Sequence, residues 1–157
     1  MKNLVIFVAM NSISFHNEGV STKTPSKRHL KAWIKEFVSN HGKKVGELAF
    51  VFCNDEKILE VNRNFLQHDY YTDIITFDYC ENEIVSGDIF ISVERVVENA
   101  LIHKVDYKQE LLRVLAHGVL HLIGFQDKSP KKKKEMTANE DLCIQLFFTK
   151  FVVNSNT

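Results

Sequence analysis

His117, His121 and Asp127 stand in the run His-Gly-Val-Leu-His-Leu-Ile-Gly-Phe-Gln-Asp, and their spacing dictates a local chain path. Residues four apart on an α-helix lie one turn above each other on the same face. Two imidazoles so placed can grip one metal ion, each at roughly 2.0–2.1 Å. Gly124 follows His121 by three residues and can take a positive φ, so it can end the helix and fold the chain back. Asp127 arrives three residues later, where its carboxylate can complete a three-ligand site. Three protein ligands with a fourth position left for water is the form of a catalytic zinc site, not a structural one.

The pattern His-x-x-x-His-x-x-Gly-x-x-Asp resembles the metzincin form of zinc site, in which the third ligand also follows a glycine turn. Zinc peptidases of that type carry Glu directly after the first His, as the general base for water. Gly118 holds that position here. The metal-binding frame is present and the peptidase base is absent.

The whole chain reads as one domain, residues 1–157, large enough to bury about two-thirds of its unfolded surface. A hydrophobic content of 45% with 11% aromatics excludes a disordered chain. Twenty basic side chains against 20 acidic ones give no global signal for nucleic acid, but the distribution is uneven. Residues 1–50 hold 8 basic and 3 acidic groups, residues 51–103 hold 3 and 11, and residues 104–157 hold 9 and 6. Both ends are basic and the middle is acidic. Cys53, Cys80 and Cys143 are odd in number and far apart, which fits free thiols in a reducing cytoplasm. The run Leu4–Val8 has only Lys2 before it and no small-x-small cleavage site after it, so it reads as a buried first strand rather than a signal peptide. No segment approaches the ~20 apolar residues that span a membrane.

Further along, Thr24-Pro25 opens a helix whose apolar positions Leu30, Trp33, Ile34, Phe37 and Val38 have helical spacing, and Asn40-His41-Gly42 ends it. Residues 45–53 form a nearly all-apolar strand, as expected when both faces are covered. Asn54 caps a helix through about Leu66, with Ile58, Leu59, Val61 and Phe65 inward. Strands over 73–78 and 87–93 flank the turn Glu81-Asn82-Glu83. Helices follow over about Val93–His103, Tyr107–Leu122 and Pro130–Phe151, the last with Met136, Leu142, Ile144, Leu146 and Phe147 as candidate buried residues. Four strands and five helices indicate a single mixed α/β (α+β) domain with a mixed sheet and a zincin-like metal site.

Four ordered features, over about residues 45–148, add a family resemblance. They are Asn62 followed by Asp69 and the stretch Thr72-Asp73-Ile74-Ile75-Thr76-Phe77; Gly87-Asp88-Ile89; the motif from His117 to Asp127; and Met136 with Glu140. Together they resemble the YbeY-type bacterial rRNA maturation factors, described as single-strand-specific, metal-dependent endoribonucleases. The resemblance implies one Zn²⁺ per chain and single-stranded RNA as substrate, with rRNA and ribosomal particles as partners and no membrane. Two positions depart from the family pattern. The third metal-ligand position, usually His, is Asp127, which adds negative charge and leaves the metal less Lewis-acidic. The Arg usually found three residues before the Asp of the first feature is Leu66 here. Arg113, one turn before His117, is a candidate for that cation's role; its plainer reading is an exposed or salt-bridged helix residue.

Asp69, Thr72, Asp73, Asp78 and Asp88 are candidates to line a cleft beside the metal, or are turn and strand-start residues. The run Lys128, Lys131, Lys132, Lys133 and Lys134 is either a solvated face or an RNA-backbone contact, and Tyr70, Tyr71 and Phe125 offer stacking surfaces for unpaired bases. The reading is a zinc-dependent endoribonuclease of single-stranded RNA in rRNA maturation, with His117, His121 and Asp127 on the metal. The rivals are a ribosome assembly factor with a mainly structural metal, and a zinc peptidase.

Overall fold

The computed structural model describes residues 11–67 and 72–152. In chain order the elements are β1 (Ser12–Asn17), α1 (Lys27–Asn40), β2 (Lys44–Cys53), α2 (Asp55–Val61), β3 (Ile74–Asp78), β4 (Ile84–Ser92), α3 (Val93–His103), α4 (Tyr107–Ile123) and α5 (Pro130–Phe147). The strands form one mixed sheet in the order β1-β2-β4-β3. β1, β2 and β4 are parallel, and β3 runs antiparallel along β4. Among the described residues the mixed α/β class, with a four-stranded mixed sheet and five helices, matches the expectation from sequence, although β1 is not one of the four strands expected.

β2 sits between β1 and β4; Leu48, Phe50 and Phe52 are buried, while Ala49 and Val51 on its other face are only half-buried, so the apolar run over 48–53 is covered fully on one face and in part on the other. One sheet face carries Ile13, Leu48, Phe50, Val85, Ile89 and Ile91 into the main core, where α1, α4 and α5 close over it. The other face has a smaller cluster, Cys53, Ile58, Val61 and Ile75, beneath α2. The Trp33 indole donates to the Cys143 carbonyl at 2.7 Å and ties α1 to α5 inside the core. Each helix begins at a polar cap: Ser26, Asn54, Ser92, Asp106 and Ser129 each accept a backbone N–H three residues on.

Several boundaries differ from the sequence reading. The strand expected at Leu4–Val8 lies outside the described residues, and the first described strand is β1. Only Ile13 of β1 is fully buried, so this edge strand carries a weak apolar signal. α1 begins at Lys27, because the Ser26 hydroxyl, rather than Thr24, caps it. β4 starts at Ile84, three residues early. α2 ends at Val61 and widens into a π-helical turn, Asn62–Leu66, closed by the Gln67 N–H on the Asn62 carbonyl. That turn swings Phe65, expected inward, to 69% exposure, where its ring meets Phe77 edge-on. α5 stops at Phe147, followed by a second π-helical turn, Phe148–Val152. Leu142, expected buried on α5, is 63% exposed.

Candidate metal centre

α4 is buried along much of its length between the sheet and α5, and it delivers His117 and His121 to a shared edge. Gly124 ends the helix at φ +128°, and its N–H reaches the Leu120 and His121 carbonyls. Few side chains tolerate that φ, so the return toward Asp127 depends on this glycine. The three side chains meet. His117 Nε2 and His121 Nε2 are 3.0 Å apart, and each is 3.3 Å from Asp127 Oδ2. Ligands around a tetrahedral zinc at 2.0–2.1 Å are separated by about 3.3–3.4 Å. Among the described residues this is the group of His, Cys and acidic side chains able to hold a metal ion.

Hydrogen bonding on the far side of each ring sharpens the case. His117 Nδ1 lies 2.5 Å from Glu140 Oε2, and His121 Nδ1 donates to the Phe125 carbonyl at 3.0 Å. With each Nδ1 proton donated outward, both Nε2 atoms present lone pairs to each other and to a carboxylate. Such convergence requires positive charge at its centre, a proton or a metal ion. Burial opposes the charged form of His117, but the hydrogen bond and charge of Glu140, with Asp127 and Asp73 behind it, raise its pKa above the ordinary value. The side chains remain 24, 28 and 32% exposed, so a fourth ligand or substrate can reach the centre.

Glu140, buried on α5, is the hinge of the network. Its second oxygen accepts from Arg113 Nη1 at 2.9 Å, and Arg113 Nη2 bonds Asp141 at 2.7 Å. Arg113 therefore acts on His117 through Glu140; it is a salt-bridged helix residue beside the site. The sequence reading placed Glu140 within the family pattern but gave it no task. The available signal was a Glu four residues after Met136 on the buried face of an amphipathic helix, a place where carboxylates are rare unless paired. The carbonyl of Phe125 leaves no such signal in sequence.

Gly118 faces the sheet, away from the metal ligands. A Cβ there would stand 2.8 Å from Ile74 Cδ1 and 3.2 Å from Ile89 Cγ2. The position that holds the base in zinc peptidases is here a close approach between α4 and the strands. The peptidase reading therefore fails on packing as well as on residue type.

A hollow of about 290 Å³ opens beside the centre, with Asp73, His103, Arg113, His117, Asp127 and Lys133 among its walls. Of the expected cleft residues, Asp73 is there, held by Asn99 Nδ2 at 3.4 Å, and Thr72 bonds Asp73. Asp78 accepts from the Cys80 N–H in a turn, and Asp88 lies on the opposite sheet face, so neither joins the metal-side hollow. Asp69, Tyr70 and Tyr71 lie outside the described residues. Phe125 packs edge-on against His41 and does not line the hollow. Lys128 and Lys131–Lys134 are exposed; Lys133 reaches the hollow, and Lys132 bonds Gln126 at 2.7 Å. Leu66 is exposed at the end of the π-helical turn.

Residues 13–147 match the family model described as Endoribonuclease YbeY. A protein of that name from Phocaeicola vulgatus is 52% identical over 134 residues, covering 85% of this chain and 97% of that one. Another, from Bacteroides fragilis, is 47% identical over 135 residues, covering 86% and 97%. A solution structure of a Thermotoga maritima protein superposes with a TM-score of 0.64 at 27% identity, over 90% of this chain and 93% of that one.

Proposed function

The chain belongs to the YbeY endoribonuclease family, and from that premise we propose that it is a zinc-dependent, single-strand-specific endoribonuclease acting in rRNA maturation, with His117, His121 and Asp127 as the metal ligands. It is a metal-dependent endoribonuclease by family; the choice of zinc, the ligand set and the rRNA target are this reading's own. The observation that carries it is the convergence of two Nε2 atoms and a carboxylate oxygen within 3.3 Å of one another.

Zinc bound there supplies a Lewis acid that polarises a phosphoryl oxygen or activates water. Glu140 and the Phe125 carbonyl fix the two rings so that their Nε2 atoms face inward. Arg113 neutralises Glu140 and holds it in place. Lys131–Lys134 occupy the first turn of α5, where no acidic side chain offsets them. Cations at a helix N-terminus oppose the macrodipole by about 0.3–1 kcal/mol each. A cluster there, with Lys133 in the hollow, suits the phosphates of a bound strand. The domain is taken as 1–157 and its location as the cytoplasm. Three free thiols fit that location, and among the described residues no helix is long and apolar enough to cross a membrane.

The test is zinc content and cleavage of single- and double-stranded RNA, before and after chelation, for the parent, His117→Ala, Asp127→Ala and Asp127→His. The Ala variants lose zinc and cleavage. Asp127→His keeps zinc and cleaves at least as fast as the parent, because imidazole replaces carboxylate without its charge. Ala variants that cleave like the parent would assign the activity elsewhere and favour the assembly-factor reading.

A further inference from the structure

The metal-centred group includes no side chain to deliver a proton to the leaving oxygen, yet the same hollow contains one. His103, at the end of α3, puts Nδ1 3.0 Å from Oε1 of Glu110 on α4. Glu110 is only 4% exposed, while the His103 side chain is 54% exposed, and both line the hollow that holds His117 and Asp127. A buried carboxylate on Nδ1 fixes the ring's orientation and tautomer and leaves Nε2 as the working nitrogen. Among the described residues Nε2 has no hydrogen-bond partner. Nothing in the metal centre calls for this pair: the ligand rings have Glu140 and the Phe125 carbonyl as their own partners.

Glu110 and His117 are seven residues apart, two turns of α4 and about 10 Å along its axis. His103 lines the same hollow as His117 and Asp127, so a phosphodiester seated there can meet both the imidazole and the metal ligands. At about 290 Å³ the hollow is at the bottom of the usual range for small-ligand sites, roughly 300–1,000 Å³, so it suits one nucleotide unit rather than a duplex.

We infer that His103, oriented by Glu110, is the general acid that protonates the leaving oxygen during RNA cleavage. The inference rests on the endoribonuclease reading. In the step, the attacking oxygen, from water or the 2′-hydroxyl, forms its bond to phosphorus as the bond from phosphorus to the leaving oxygen breaks. The electron pair of the broken bond goes to that oxygen, which takes the proton from Nε2 of the His103 imidazolium and leaves the neutral ring with its other proton on Nδ1, donated to Glu110. The attacking oxygen's proton passes to solvent, and the imidazole recovers one from solvent. His103 is a catalytic residue in this scheme and Glu110 a positioning residue.

The experiment compares two substrates: a single-stranded oligoribonucleotide, and a uridine nucleotide ester whose leaving group is nitrophenolate, which needs no proton. Chelator-sensitive RNA cleavage by the parent is established first; its absence would overturn the endoribonuclease reading, whatever His103 does. His103→Gln is exposed enough to keep the fold, which thermal melting and zinc content check. It should lose about 10²–10⁴-fold on RNA, the usual contribution of a general acid, and less than tenfold on the activated ester. Glu110→Gln should lose less on RNA, and ¹⁵N spectra of its His103 ring should show mixed tautomers where the parent shows one. Equal losses of His103→Gln on both substrates, or no loss on RNA, would overturn the assignment. So would an unchanged His103 spectrum in Glu110→Gln.

Discussion

The two faces of the sheet each carry a depression, and the larger one is the less organised chemically. On the face away from α4, a groove of about 670 Å³ runs over β1, β2 and β4, lined by Ser12, Ser14, Glu47, Tyr79, Ser86 and Asp88. Its polar groups are used by near neighbours: Ser86 Oγ accepts from the Glu47 N–H, and the Tyr79 hydroxyl donates to Asp88 at 3.3 Å. The hollow beside α4 has less than half that volume. Beside it His117, His121 and Asp127 converge on one point that calls for a proton or a metal ion, set by a buried Glu that must itself be paired. Volume follows from how the helices cover the sheet. The capacity for chemistry follows from ligand-type groups that are forced to converge.

Gly118→Glu is the most severe way to break this contrast. The carboxylate would be driven between α4 and the strands, against Ile74 and Ile89. Overpacking and an unpaired buried charge together should remove about 4 kcal/mol or more. Urea unfolding should show a variant that is barely folded or unfolded, without peptidase activity. A stable Gly118→Glu protein that hydrolyses casein would mean that this position faces the metal after all.

Glu140→Gln tests whether the far side of the rings governs the centre. Loss of such a partner typically weakens metal binding about 10–100-fold. Competition against a calibrated chelator should find a change of that size, with single-stranded RNA cleavage reduced at limiting zinc. Unchanged zinc affinity would leave Glu140 as a packing residue only.

The metal-side pattern was readable because it is local. His117, His121, Gly124 and Asp127 lie within eleven residues, and helix geometry with one glycine turn is enough to assemble them. The all-apolar β2 and the Asn54 cap were readable for the same reason. What the sequence hid depends on interactions between distant segments. Glu140 reaches His117 across 23 positions, and Trp33 meets the Cys143 carbonyl across 110. Asp88 could be assigned to a strand but not to a face, since the face depends on which side α4 packs. Phe65 was misplaced because a π-helical turn changes the angular spacing on which the inward assignment relied. Arg113 had two readings that only the position of α5 could separate.

Replacing Lys131–Lys134 with Gln should have a smaller effect, in opposite directions for binding and stability. RNA binding should weaken several-fold at low salt, and the slope of log affinity against log salt should flatten by about 0.7 for each phosphate no longer neutralised. The variant should also melt at a slightly higher temperature, because four cations leave the positive end of α5. An unchanged salt slope would make the run a solvated face.

Asp88→Asn probes the other face and should have the smallest effect. Partial burial, then the charge of Asp88 and its hydrogen bond, raise the Tyr79 phenol above its ordinary pKa. The carboxylate disfavours phenolate, so its removal should bring the phenol back down, as ultraviolet absorbance titration would record. Tyr79 is exposed, and its bond to Asp88 is a long one at the surface, so stability should hardly change. Zinc content should remain at the parent value, since the Asp88 side chain lies across the sheet from Glu140 and His117. Zinc lost from a folded Asp88→Asn protein would show that the two faces communicate through β4, and convergence on the α4 side would no longer be enough to explain the site.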